Sequence, residues 1–399
     1  MATTAHHRVV IVGGGSAGIS VAARLIEHVA DVAVIDPSDK HYYQPLWTLV
    51  GGGCSKRETS ERSQASVMPA GVNWIKDAAT IFDPDNNTVT TATDKTIGYD
   101  VLVVCPGIQL DWDRIDGLTD TLGKDGVSSN YTYDLAPKTW DFIRGTKSGR
   151  AVFTMPSGPI KCAGAPQKIA YLAADHWRKE GVLDNIDIHL VLPTPSMFGV
   201  KCFSDALDEV VADYGIHVHF KAELDSVDAA NHKAMFTSMD EGGAGFTLDY
   251  DMMHVVPPQS APDWIKASPL STDAPTGYVD VDKHTHQHVR YPNIYSLGDA
   301  GSTPNSKTGA AIRKQAPVVA ANVRTQLAGK NPNEFYGGYA SCPLTTSSSK
   351  MLLAEFDYTM EHTPSFPVID LQKPRTDMWY LKKHGLPFMY WNLMLKGKA

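Results

Sequence analysis

Gly13, Gly15 and Gly18, with Gly14, Ser16 and Ala17 between them, have the spacing that holds a dinucleotide pyrophosphate. Gly13 permits a tight turn, Gly15 a close backbone approach, and Gly18 close packing of a helix on a strand. Asp36, 18 residues after Gly18, is positioned to accept from ribose hydroxyls. The bland reading is a glycine-rich turn that binds nothing. Cys162 is the second residue able to do chemistry. It follows Lys161 and stands just before a helix N-terminus, and both features favour thiolate over thiol. That makes it a redox or nucleophilic candidate, against the alternative of an inert buried cysteine. Cys54, Cys105, Cys202 and Cys342 complete the set. Five scattered cysteines with no Cys-x-x-Cys pair make neither a disulfide scaffold nor a zinc site.

The elements that must position these residues follow from hydrophobic patterning. Arg8–Val12 reads as a buried strand running into the glycines, Ile19–Leu25 as a helix, and Val32–Asp36 as a second strand. Together they give the strand–helix–strand context that the glycine spacing needs. Tyr99–Val104 is a strand ending in the small turn Cys105-Pro106-Gly107, and Tyr291–Leu297 is a strand ending in Gly298-Asp299. Arg150–Thr154 opens a second unit of this kind, with a helix from about Gln167 to Lys179 and a strand over Ile186–Leu192. Its turn carries no G-x-G-x-x-G: Pro156 and Pro159 would obstruct a pyrophosphate. The electron donor is therefore not expected to be a pyridine nucleotide.

Composition sets the outer bounds. With 36 Lys+Arg against 44 Asp+Glu the chain is acidic, which argues against nucleic-acid binding. No apolar run approaches the length of a spanning helix, and neither a signal nor a transit segment is evident. Near the C-terminus, Lys382, Lys383 and His384 adjoin Leu386–Leu395, rich in Phe, Trp, Tyr and Met. That mixture suits an interfacial membrane anchor or a segment packed on the core, and Pro387 is expected to break any long helix. His284, His286 and His288 alternate but suit a solvated strand better than a metal site, and no metal is expected.

The segment Lys161-Cys162-Ala163-Gly164-Ala165-Pro166-Gln167-Lys168-Ile169 resembles the active-site segment of sulfide:quinone oxidoreductases of the mitochondrial-like, type II branch. Ser341-Cys342-Pro343-Leu344 resembles that family's second cysteine segment. Matching stretches include His41–Gly51, Gly298–Thr308, Leu353–Tyr358 and Pro387–Asn392, so the resemblance spans about residues 8–396. It implies an α/β fold: two tandem Rossmann-like dinucleotide-binding units of the FAD/NAD(P)-binding flavoprotein type, with a C-terminal domain. It implies FAD at the first fingerprint, held by Gly13, Gly14, Gly15, Ser16, Ala17, Gly18, Asp36, Gln44, Ala79 and Gly107. Asp299 would hold the ribityl chain, unless it only caps a helix. Lys307 would face the flavin ring, unless it is a surface lysine.

The resemblance further implies that Cys162 and Cys342, 180 residues apart, form the catalytic pair. Hydrogen sulfide would attack a disulfide or sulfur-bridged form, Cys342 would take the persulfide, and Cys162 would leave as thiolate toward the flavin. Two electrons would pass to ubiquinone or a related quinone, and the sulfane sulfur to a small thiophilic acceptor. Phe356, Phe388, Tyr390 and Trp391 are quinone-pocket candidates or core aromatics. Other members of the wider group carry an acid near Gln167 and Lys168. Here Lys161 and Lys168 either stabilise thiolate or HS⁻, or are a solvated helix start. Cys54, Cys105 and Cys202 are given no catalytic role. The expected partner surface is a membrane approached from one side, a bacterial inner membrane; oligomeric state is left open, a homo-oligomer included.

The expected division is 1–147 with 272–329 for the FAD unit, 148–271 for the second unit, and 330–399 for a quinone- and membrane-facing domain. Two rivals share this architecture. A type-II NADH:quinone oxidoreductase would need a usable second fingerprint and leaves Cys162 without a role. A non-catalytic flavoprotein would not need both cysteines.

Overall fold

The computed structural model describes residues 3–399. Its largest sheet has a parallel centre in the order Asn73–Ile75, Val32–Ile35, Ala5–Val12, Thr96–Val104. The last of these strands is shared. Its beginning pairs with the antiparallel strand Thr88–Thr91, and its end with the parallel strand Ile294–Ser296. Val9, Val10, Ile11 and Val12 are all buried, because this sheet is covered on both faces and every position on a central strand is core. The helix Ser16–Leu25 packs on the helix Gly309–Leu327 across one face.

The turn between the first strand and its helix depends on absent side chains. Gly13 has a φ of +104°, outside the range ordinary residues prefer. A Cβ on Gly18 would drive into the Gly13 carbonyl oxygen, whereas a Cβ on Gly15 would meet nothing within 4 Å. The first constraint is helix–strand packing; the second leaves a cradle open.

A second sheet of five parallel strands runs Val127–Ser128, Met252–His254, Gly149–Thr154, Ile186–Leu192, His217–Phe220. It draws Val127–Ser128 from before residue 148, so the second unit reaches further back than the expected division. A two-residue strand carries no periodicity by which a sequence reading could find it. The helix of this unit starts at Ala165, two residues earlier than expected, with Pro166 in its first turn.

The C-terminal segment forms a hairpin, Ala340–Thr345 with Met351–Phe356, in which Cys342 lies opposite Ala354. Leu353 joins the core of the first sheet and Leu344 and Ala354 that of the second, so the hairpin is wedged between the two. Helical structure then runs through Thr376–Tyr380, a π turn at Leu381–Gly385, and Leu386–Asn392. Pro387 does not break it. The residue lacks an N–H and would clash with the carbonyl four residues back, and the wider turn just before it absorbs both defects. No helix among the described residues is long and apolar enough to cross a membrane. The alternating histidines are not a solvated strand: His286 and His288 are buried, their rings bonded to the carbonyls of Ser296 and Leu270.

The two glycines should separate experimentally. Gly18→Ala is expected to lose about 1–3 kcal/mol of stability, seen as a lower thermal midpoint. Gly15→Ala should stay within about 0.5 kcal/mol of the parent, and lose bound dinucleotide instead.

Candidate active site

A cavity of about 620 Å³ opens where the fingerprint turn, the second-unit loop, the C-terminal hairpin and the C-terminal helix meet. Gly15, Ser16, Ala17, Gln44, Gly107, Asp299 and Lys307 line it, as do Cys162 and Tyr390. The fit to a dinucleotide rests on three features. The fingerprint helix has no side-chain cap at its N-terminus, which leaves its N–H groups free toward the cavity. Gly15 and Gly107 each leave open space where a Cβ would stand. The Asn130 side-chain nitrogen, buried in the lining, has no hydrogen-bond partner of its own. Gly13, Gly14 and Gly18 shape the turn from behind. Asp36 accepts from the N–H groups of Gly14 (2.6 Å) and Ser38 (2.8 Å), which braces the turn beside the expected ribose position. Ala79 begins the strand Ala79–Asp83 and lies outside this cavity lining.

The two cysteines come together. Their sulfurs are 3.5 Å apart and both thiols are free. That is about 1.5 Å longer than a disulfide bond, at hydrogen-bonding range for sulfur. Cys162 holds a left-handed backbone, φ +54°, which a β-carbon disfavours. Its N–H donates to the Lys307 carbonyl at 2.9 Å, and the Tyr131 hydroxyl donates to the carbonyls of Lys161 and Cys162. These bonds over-determine the strained residue. Opposite, a Cβ on Gly164 would collide with the Cys342 sulfur, so this glycine makes room for the second thiol.

The electrostatics make the pair unequal. Cys162 is held well below the usual thiol range. The hydrogen bond from Cys342 is the main cause and overcomes burial; the ammonium of Lys168, 3.1 Å from the sulfur, adds to it. Cys342 is pushed well above that range by the same bond and by burial. The pair is thus polarised: Cys162 is the sulfur that favours thiolate and Cys342 the one that favours thiol. Lys168 is buried, and burial alone would lower it, but the cysteines keep it charged and shift it upward. Gln167, its neighbour, instead turns into the core, where it donates to the Met197 carbonyl and accepts from Tyr171.

Lys161 does not touch either sulfur. Its ammonium donates to the Gln44 side chain at 2.8 Å and the Tyr131 carbonyl at 3.2 Å, and burial brings it down to about 8. Lys307 donates to the carbonyls of Asp299 and Gly301, both at 2.8 Å, and stands 3.9 Å over the Tyr278 ring. Burial lowers it to about 8 as well. Asp299 is raised by burial, against the pull of Lys307 and Lys161.

The four aromatic candidates part company. Tyr390 is buried in the cavity wall, its hydroxyl bonded to Ser16 and His41. Phe356 is a core residue packed on Phe198, outside the cavity lining. Phe388 and Trp391 line a separate groove of about 780 Å³ with Leu46, Trp140 and Lys383. Phe388 is 62% exposed there, although Tyr390 and Leu395 of the same segment are core. One face of this segment is therefore packed on the core and the other is exposed.

Lys382 was missed by sequence reasoning. It is 2% exposed, its ammonium donates to the Pro45 carbonyl, and burial brings it down to about 7 with Lys168 adding to the effect. The charge of the two cysteines acts on it in the opposite sense. A lysine inside a Lys-Lys-His run reads as a surface cation. Only the π turn, invisible in residue types, rotates it inward. Tyr131 lacked any motif to announce it.

A cation beside a sulfur favours the charged form, so removing it raises the thiol's titration point. Lys168→Met should move the Cys162 midpoint, followed by thiolate ultraviolet absorbance in the reduced protein, up by about one to three pH units. Gly164→Ala should displace the Cys342 thiol and lower the yield of disulfide under mild oxidant.

The pyridine nucleotide-disulphide oxidoreductase family matches residues 7–138. The mitochondrial sulfide:quinone oxidoreductase of Dictyostelium discoideum is 45% identical over 98% of this chain and 86% of its own length. That of Mus musculus is 41% identical over 98% and 87%. Among solved structures, the sulfide:quinone oxidoreductase of Aquifex aeolicus superposes with a TM-score of 0.82, covering 100% of this chain and 92% of that one. At 20% identity that match speaks for the fold alone. Sequence identity at this level over nearly the whole length decides the assignment: the chain belongs to the mitochondrial-type sulfide:quinone oxidoreductases.

Proposed function

We propose that this FAD oxidoreductase oxidises hydrogen sulfide at the Cys162–Cys342 pair and passes the electrons to a quinone. The observation that carries the reading is the unequal cysteine pair: Cys162 lines the cavity from the loop where a second nucleotide fingerprint would otherwise stand, and Cys342 meets it at 3.5 Å from the hairpin. Gly13–Gly18, Gly107, Gln44, Asp299 and Lys307 would hold FAD, with Asp36 and Ala79 serving its adenosine end. When bound, FAD supplies the two-electron chemistry that links sulfide to quinone.

The chain's own groups set the sulfur steps. Attack of HS⁻ on an oxidised pair forms one sulfur–sulfur bond and breaks another, and the thiolate of lower basicity leaves. Cys162, beside Lys168, is that leaving group, so the sulfane sulfur stays on Cys342 as a persulfide. A small thiophilic acceptor then attacks the outer sulfur and departs as its own persulfide, and Cys342 is released as thiolate. Re-closure of the two thiolates into a disulfide gives up two electrons. Lys168 and Lys382 balance the negative charge that accumulates.

The quinone, ubiquinone or a relative, would enter near Tyr390 and the exposed Phe388–Trp391 face. The groove there mixes Phe388 and Trp391 with Lys56, Arg62 and Lys383, which suits the interface of a membrane approached from one side. The relatives compared are mitochondrial by name, so the expected bacterial inner membrane draws no support from them. Phe356 would act as a core residue behind the hairpin. We retain the expected unit boundaries as a proposal, with the strand Val127–Ser128 added to the second unit.

The decisive experiment mixes oxidised holoprotein anaerobically with sulfide, and separately with NADH, while flavin absorbance is followed. Sulfide should bleach it and a soluble quinone restore it; NADH should do neither. Bleaching by NADH instead would overturn the reading. Cys162→Ser and Cys342→Ser should each retain FAD and lose sulfide-dependent bleaching by about 10²-fold or more. Full bleaching in either variant would remove that residue from the chemistry.

A further inference from the structure

The cavity is lined by two carboxylates among its described residues, Asp299 and Glu355. Asp299 lies with Lys307 and Lys161 on the flavin side. Glu355 has no such assignment, yet it is 1% exposed on the hairpin strand Met351–Phe356, directly across from Ser341. A buried carboxylate is costly unless it is well bonded, and this one is. It accepts from the Tyr339 hydroxyl, from the Ser365 hydroxyl at 2.6 Å and from the Ser365 N–H at 2.9 Å. Ser365 is exposed. A continuous hydrogen-bonded path therefore leads from solvent, through the Ser365 hydroxyl, to a carboxylate on the cavity wall.

We infer that Glu355 is a proton relay for quinone reduction, fed from solvent through Ser365. The inference rests on the quinone reading above. Reducing a quinone to quinol consumes two electrons and two protons, and an apolar pocket cannot draw the protons from bulk water. A proton passed from solvent through the Ser365 hydroxyl first forms the Glu355 carboxyl O–H bond; that bond breaks as a quinol O–H bond forms, and the relay turns over twice, once for each proton. The carboxylate left behind takes a proton from the Ser365 hydroxyl, which is refilled from solvent. Tyr339 anchors the carboxylate and keeps its own proton, since burial and the bond to Glu355 both raise its phenol. Arg313 and Lys314, from the helix Gly309–Leu327, each stand 5.9 Å from the Tyr339 ring and bring positive charge to this side. Lys161, Lys307 and Lys382 are tied to carbonyl or amide oxygens elsewhere in the lining.

The test uses holoenzyme and its Glu355→Gln and Ser365→Ala variants. Glutamine can still accept from the Tyr339 and Ser365 hydroxyls on its single oxygen, gives up the bond from the Ser365 N–H, and carries no exchangeable acid. Bleaching by sulfide should be unchanged in both. Reoxidation by decylubiquinone should slow about 10²-fold in Glu355→Gln, lose its pH dependence, and slow less in Ser365→Ala. Decylubiquinone binding, read by quenching of protein fluorescence, should be unaltered. The infrared difference spectrum of quinone reduction should contain a carboxyl band that Glu355→Gln lacks. Parental reoxidation in Glu355→Gln, or loss of FAD, sulfide bleaching or quinone binding with it, would overturn the relay. If the parent enzyme itself is bleached by sulfide but not reoxidised by quinone, the quinone reading falls and the relay with it.

Discussion

Two sulfurs 3.5 Å apart, one favouring thiolate and the other thiol, set the terms for everything around them. A thiolate in a partly dry site is unstable unless a cation and a donor stand next to it. Both are present: the Cys342 thiol on one side and the Lys168 ammonium on the other. In the proposed reaction the asymmetry that results would give the sulfur chemistry its direction, because the less basic thiolate departs. A symmetric pair would have no preferred leaving group and would scatter the sulfane sulfur between two residues.

Holding that distance requires parts from across the chain. The loop before the helix Ala165–Lys179 supplies Cys162, pinned in a left-handed conformation by a backbone bond to Lys307. The hairpin supplies Cys342, and Gly164 clears the space for its sulfur. Because the hairpin packs into both cores, the separation of the sulfurs inherits the rigidity of two close-packed interiors. The cofactor cradle and the cysteine pair share Lys307, whose carbonyl fixes Cys162 and whose ammonium stands in the cavity lining. The Cys162 backbone and the cavity lining are thereby tied to one short segment.

What was legible in the sequence was what is local. The first fingerprint, its helix and strands, and the substitution of a cysteine loop for the second fingerprint are contiguous patterns, and each element fell within a few residues of its expected range. The meeting of Cys162 with Cys342 was reached only by family resemblance, since no periodicity links residues 180 positions apart. Lys382 could not be read, because residue type says surface and backbone phase says core. The same holds for His286 and His288, whose alternation suggested a wet strand while tertiary packing buried them. Of the aromatics, Tyr390 and Phe356 have the same character in sequence, and only the fold sends one to the cavity and the other to the core.

The π turn at Leu381–Gly385 has a consequence beyond accommodating Pro387. Such a turn is one residue inserted into a helix, and one residue is about 100° of rotation. Every side chain after it is out of phase with those before it. The inward reach of Lys382 and the outward display of Phe388 are therefore settings of a single screw. Were the turn to tighten into an ordinary helix, Phe388 and the apolar face of the groove would rotate by about 100° relative to Lys382, so the buried ammonium and the exposed face could not both keep their places. The inner chemistry and the outer surface of this segment are geared to each other through the backbone.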